Sequence, residues 1–257
     1  MSRVLLAAVL GAIVVAPASA ASRDQIQRGK HLYGAYCVAC HGANGSGVRH
    51  PTEIGAGPHR SQSEERAVGP SLRGVGALSA DFYLRTGYMP LQHAGVQPRR
   101  SRVLFSDDQI RALVAYVASL GPGPPIPKPD PKRGNVSRGL HLFTEHCAGC
   151  HQVVAEGGYV TDAVPPPLED ATPRQIAEAV RIGPYVMPRF SPKALPDKDV
   201  DSLIAYIEYA KHPDDRGGWA IGHIGPVPEG LVTWFIGAAV LVAVCIVIGK
   251  RLKREAA

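Results

Sequence analysis

The sequence predicts an all-α chain, two tandem helical modules followed by one C-terminal transmembrane helix, and three observations predict it. "RGKHLYGAYCVACH" at 28–41 returns as "RGLHLFTEHCAGCH" at 138–151, an offset of 110 residues. "SDDQIRALVAYVASL" at 106–120 shares its pattern with "PDKDVDSLIAYIEYA" at 196–210, an offset of 90. Self-similarity of this kind marks a duplicated unit. The third observation is "LVTWFIGAAVLVAVCIVIG", nineteen uncharged residues at 231–249. Alternating strand patterns are absent from both copies.

Residues 1–20, "MSRVLLAAVLGAIVVAPASA", join one early Arg to an apolar run and to small residues ending in Ala18-Ser19-Ala20. This is the pattern of a secretory signal cleaved after Ala20. An uncleaved anchor is the alternative, because residues 4–21 carry no charge and almost match a bilayer.

The first module is expected over 21–120. Ile26, Gly29, Tyr33 and Tyr36 recur at helical spacing ahead of the first cysteines. Ser106-Asp107-Asp108-Gln109 reads as a capping box opening a helix with Leu113, Tyr116, Val117 and Leu120 on one face. Residues 121–135, "GPGPPIPKPDPKRGN", hold six prolines in fifteen positions. They predict an extended, semi-rigid spacer between the modules.

The second module is expected over 136–212. Its Thr172-Pro173-Arg174-Gln175 combines a cap, a first-turn proline and a returning Gln. Gly87 and Gly183 fall where the middle helices should stop in a left-handed residue. The first copy is about twenty residues longer, with the excess around "VRHPTEIGAGPHRSQSEERAV" and "QHAGVQPRRSR".

A Gly/Pro-rich juxtamembrane segment, 213–230, leads to the span at 231–249. As a helix the span would be ~29 Å long, close to the ~30 Å hydrocarbon core. Trp234 suits one interface, and the basic residues of the tail, 250–257, place that end in the cytoplasm and the modules outside. The net charge is +6, but Arg3 leaves with the signal and the tail contributes +3, so the outer part carries +2. A nucleic-acid partner loses its support, because the basic surplus is mostly topological signal. Residues 21–120 carry 12 basic and 7 acidic side chains, whereas 136–212 carry 7 and 10. Fields of opposite sign can steer the modules toward different partners or toward each other.

Five cysteines occur: Cys37, Cys40, Cys147 and Cys150 form two C-x-x-C-H motifs, and Cys245 lies mid-membrane. On a helix, residues three apart share a face, so both thiols of a pair reach one edge of a flat macrocycle. His41 or His151, four on from the first cysteine, can then bind a metal from beneath. The pattern reads as covalent c-type haem attachment, twice. Disulfides, or zinc sites needing further ligands that the repeats do not supply in matched pairs, are the competing readings.

Only three methionines occur, and both that follow the initiator, Met89 and Met187, precede a proline. A thioether at the sixth position of a haem iron favours Fe(II) and raises its potential. Pro90 and Pro188 stiffen the loops that would present the sulfur. His50, His59 and His93 compete for that position in the first copy; none stands between His151 and Met187 in the second. His31 and His141 recur but precede the motif, as surface or packing residues would.

Each module resembles a class I cytochrome c. The family's helix-crossing pattern maps onto Gly29 and Tyr33 with Leu113 and Tyr116, and onto Gly139 and Phe143 with Leu203 and Tyr206. Its "GPxL" segment, whose proline carbonyl orients the proximal imidazole, matches Gly69-Pro70-Ser71-Leu72; in the second copy "PPPL" remains, with Pro166 the counterpart. Signal, paired modules, "GGWAIGHIGPVPEG" and C-terminal anchor together resemble the dihaem cytochrome c subunit of bacterial cytochrome bc1 complexes, over about residues 26–249.

That resemblance implies two haems c and an electron carrier in the respiratory chain, running from a Rieske iron–sulfur protein to cytochrome c oxidase beside cytochrome b. Such a chain is enzymatic only as part of a quinol–cytochrome-c reductase, and has no catalytic residue of its own. A dihaem subunit of another membrane dehydrogenase or oxidase is the nearest alternative. A dihaem peroxidase, which needs one iron able to open, and a disulfide-bonded scaffold without haem are more distant.

Overall fold

The computed structural model describes residues 23–48, 69–91, 97–212 and 226–255. The expected signal at 1–20, His50, His59, His93 and residues 213–225 of the juxtamembrane segment lie outside the described residues.

One order of helices occurs twice. In the first module it is α1 (Arg23–Tyr36), α2 (Val38–His41), α3 (Gly76–Arg85) and α4 (Asp107–Ser119). In the second it is α5 (Val136–His146), α6 (Ala148–His151), α7 (Pro173–Ile182) and α8 (Asp197–Lys211). Among the described residues the only extended pairings are two isolated bridges, Val48 with Gly69 and Val160 with Ala163. The all-helical expectation holds.

The first helix of each module crosses the last at a glycine. A Cβ on Gly29 would lie 1.9 Å from the Ala112 carbonyl oxygen, and one on Gly139 would lie 2.0 Å from that of Ser202. Neither backbone can retreat, so only hydrogen fits there. One turn on, Tyr33 meets Tyr116 with ring centroids 5.1 Å apart, and Phe143 meets Tyr206 at 5.3 Å. Both ring pairs tilt by 53°. Such pairs add about 0.5–1.5 kcal/mol beyond the area they bury.

The helix ends follow local chemistry. Ser106 and Gln109 form the complete capping box of α4, as do Thr172 and Gln175 on α7 with Pro173 in its first turn. Gly183 stops α7 with φ 64°, and Gly87 follows α3 with φ 67°. Asn135 caps α5 by accepting from the Arg138 amide.

The proline-rich connector is more than a spacer. Its carbonyl at Pro124 accepts from the Leu78 amide at 3.2 Å, and Ile126 packs on the core of the first module. A short 3-10 turn, Pro131–Arg133, closes its far end, where the Asp130 amide donates to Asp201 of α8 at 2.8 Å. The connector is strapped to both modules, because its apolar and amide groups found partners that composition alone does not show.

The modules also touch directly, α3 against α7. The Gln97 side chain clamps one peptide of the second module, donating to the Val164 carbonyl at 2.9 Å and accepting from the Val164 amide at 3.0 Å. Arg100 donates to the Asp170 carbonyl and to Gln175, whose own amide reaches the Arg85 carbonyl.

Residues 212–257 form a separate compact unit. Its helix α9 spans Pro226–Glu255, beginning before the expected 231 and running on through the basic residues to Glu255. Within residues 230–254 an eighteen-residue stretch has a mean hydropathy of 2.8 and none of it is buried, the composition of a membrane span.

Candidate haem-binding sites

The first cysteine of each motif sits in a break between two helices. Cys37 (φ −120°) ends α1 and opens α2, and Cys147 (φ −123°) does the same between α5 and α6. Each still bonds back to the preceding helix, Cys37 to Tyr33 at 2.9 Å and Cys147 to Phe143 at 2.8 Å. The single turn that follows brings the histidine amide onto the first cysteine's carbonyl, at 2.9 Å in both copies. Two thiols and an imidazole therefore leave one short helix together.

All four thiols are free rather than paired in disulfides. Cys37 and Cys147 are half-buried, and Cys40 and Cys150 are exposed. Burial, reinforced by the neighbouring thiol, pushes Cys37 up to about 11 and Cys147 up to about 12. Both inner thiols stay protonated at neutral pH.

The imidazoles are held by proline carbonyls. His41 Nδ1 lies 2.8 Å from the Pro70 oxygen, and His151 Nδ1 lies 3.0 Å from that of Pro166. A carbonyl only accepts, so Nδ1 carries a hydrogen, and in the neutral tautomer this leaves the lone pair on Nε2. Burial pushes His151 below its ordinary value, against the opposing bond to Pro166. A neutral ring with one free nitrogen results.

The loops that place these carbonyls differ between copies. Gly69 passes so close to the Cys40 carbonyl that a Cβ would stand 2.2 Å away. In the second copy proline occupies that place, and the close approach shifts to Gly158: a Cβ there would lie 2.9 Å from the Cys150 oxygen, and the Gly158 amide bonds the Pro165 carbonyl at 3.1 Å. Pro166 thus reaches His151 without the family's glycine. Gln152 and Ala155, at φ 62° and 64°, take the left-handed places that Gly42 and Gly45 fill in the first copy.

One cavity gathers Cys147, Cys150, His151, Pro166 and Met187 within apolar walls from Phe143, Leu168, Ile176, Val180, Leu203 and Ile207. Met187 is set by its amide bond to the Pro184 carbonyl at 3.0 Å. Free thiols, a neutral imidazole, a thioether and a dry wall suit a haem c. In the first copy the described link is His41 with Pro70; Met89 is half-buried after α3, its amide bonded to the Tyr83 carbonyl at 3.1 Å. His31 and His141 are exposed.

The wall of the second cavity includes residues no repeat argument could find. Phe82, Thr86, Tyr88, Gln97, Pro98 and Arg100 of the first module complete it. Tyr88 is the residue before Met89, the expected ligand of the first module.

Two family models match the chain, one copy each. The model described as cytochrome c matches residues 26–121, and that described as cytochrome c oxidase, cbb3-type, subunit III matches 134–207. The chain is 35% identical over 266 residues to the cytochrome bc1 complex cytochrome c subunit of Corynebacterium diphtheriae, covering 96% of this chain and 89% of that protein. To its namesake in Mycobacterium tuberculosis it is 36% identical over 246 residues, covering 92% and 82%. A more remote relative is the cbb3-type cytochrome c oxidase subunit CcoP of Azospirillum sp., 28% identical over 225 residues, covering 74% and 67%.

Proposed function

Because this chain belongs to the family of cytochrome bc1 complex cytochrome c subunits, we propose that its two modules pass electrons out of a quinol-oxidising complex, from a Rieske iron–sulfur protein to cytochrome c oxidase. The chain is a membrane-anchored dihaem cytochrome c of electron transfer, with one c-type haem in each matched domain. Its proposed neighbours in the complex are cytochrome b and the Rieske subunit. The modules lie on the extracytoplasmic side and the tail following α9 in the cytoplasm. Enzymatic activity belongs to the assembled quinol–cytochrome-c reductase, while this chain carries charge.

Cys37 and Cys40 would hold one haem through thioether bonds, and Cys147 and Cys150 the other. His41 and Met89 would be the iron ligands of the first, and His151 and Met187 those of the second. Bound haem supplies an iron that gains and loses one electron. With a histidine and a methionine at each iron, the chain's own residues would supply the protein ligands, which suits electron transfer rather than substrate binding. The Pro70 and Pro166 carbonyls hold each ring in one tautomer and orientation. Tyr88 and Phe82 give the cavity of the second module a wall from the first, so the proposed second haem would lie against both modules.

The observation that carries this reading is the cavity joining Cys147, Cys150, His151 and Met187. Spectra and redox titrations of Met89→Ala and Met187→Ala test it. Each variant should lose the thioether ligand at one haem alone and lower that potential; unchanged ligation and potential in both would refute it. The match of 134–207 to an oxidase subunit favours a second reading, attachment to an oxidase. Gentle purification separates the two, since cytochrome b and Rieske subunits should copurify in the first case.

A further inference from the structure

Where α3 of the first module packs on α7 of the second, two carboxyl groups meet inside the protein. Asp81 is 2% exposed and Glu178 is 0% exposed. Asp81 Oδ1 accepts from Arg85 Nε at 2.8 Å. Its Oδ2 has no donor, and neither has either oxygen of Glu178. Three buried carboxylate oxygens without a hydrogen are costly, and two adjacent charges add repulsion.

The surrounding cations do not supply what is missing. Arg174, on the same helix as Glu178, stops 3.8 Å from Asp81 Oδ2. Arg85 divides itself between Asp81 and Asp107 of α4, the latter at 2.5 Å. Arg100 is spent on Gln175 and the Asp170 carbonyl. Helix α8 brings Leu203, Ile204 and Ile207 to the core it shares with α7, and none of the charges acting on Glu178 comes from it.

We propose that Asp81 and Glu178 form a proton-binding site at the seam between the haem modules, and that one shared proton fastens the modules together. Carried by Glu178, the proton makes a donor aimed at Asp81 Oδ2 and removes one of the two facing charges. The proposal goes beyond electron carriage, because it needs the seam and not the irons. Burial first, then the charge and hydrogen bonding of Asp81, push Glu178 from its ordinary 4.5 up to about 9, with Arg174 and Arg85 pulling the other way.

The sign follows from the two states. Separated modules would return Glu178 to water and to its ordinary value. Between 4.5 and about 9 the joined form therefore holds one more proton than the separated form. Docking is strongest below that window, weakens steadily as pH rises through it, and is constant above.

Infrared titration of the full-length, haem-loaded chain in detergent tests the site. A protonated-carboxyl band should be present at neutral pH, fade only as the pH approaches about 9, and be missing from Glu178→Gln. No such band at neutral pH, or the same band in the variant, overturns the proposal. Asp81→Asn removes the facing charge and should lower the midpoint by about one pH unit or more; an unmoved midpoint is equally fatal. Thermal unfolding reads the fastening: wild type should lose Tm relative to Glu178→Gln as pH rises through the window, and a constant difference contradicts it. Haem absorbance recorded on each sample keeps this outcome separate from the electron-transfer reading.

Discussion

Gly139 and Gly29 show how much a single hydrogen atom decides. Each lets two helices touch backbone to backbone, a role that the resemblance to class I cytochromes c implied for both glycines. Gly139→Ala forces a carbon to within 2.0 Å of the Ser202 oxygen, so α5 and α8 must part. The expected cost is about 1–3 kcal/mol. Denaturant unfolding followed at the haem of the second module should show it, while Gly34→Ala, with open space around its Cβ, should change little. The candidate ligand residues also stood out in the sequence, because covalent attachment demands fixed cysteine spacing, and the structure brings Cys147, Cys150, His151 and Met187 to one cavity. The Asp81–Glu178 pair was not: nothing in sequence tells two acids ninety-seven positions apart that they will share a buried seam.

Helix ends were the most transparent elements. Thr172 and Gln175 form the expected capping box, since those bonds are local and need no knowledge of the fold. Gln175 also bonds Arg85 and Arg100 of the other module, so the start of α7 is a joint as well as a cap. Thr172→Ala should remove about 1 kcal/mol of stability through the lost cap. Gln175→Ala should cost more, because it also empties the seam; equal losses in thermal unfolding would show that the joint contributes nothing. The connector was harder to read. Proline content predicted stiffness, but the bonds from Pro124 to Leu78 and from Asp130 to Asp201 depend on where the two modules come to rest.

On the scale of the whole molecule, duplication explains the architecture and its departures. The copies share helix order, ring pairs and carbonyl-held imidazoles, yet the second replaces a glycine by proline at 165 and moves the close approach to Gly158. A repeat fixes what each half must do, whereas the walls between halves follow from packing alone. Gln97 and Arg100, which join the modules, lie in the longer loop that only the first copy has. Anchorage rests on α9 in this account. A chain ending at residue 225 and expressed with its own N-terminus should be processed and released into the soluble fraction with both haems; retention in membranes would mean that residues 1–20 persist as an anchor.

Every role proposed for the two modules depends on haem being bonded to both. Intact mass measurement of the full chain, expressed in cells competent for cytochrome c maturation, reads this directly. The mass should exceed that of the processed polypeptide by two haems, and fall by one in a Cys147→Ser, Cys150→Ser double variant. A polypeptide without added haem, or with a single one, would contradict it.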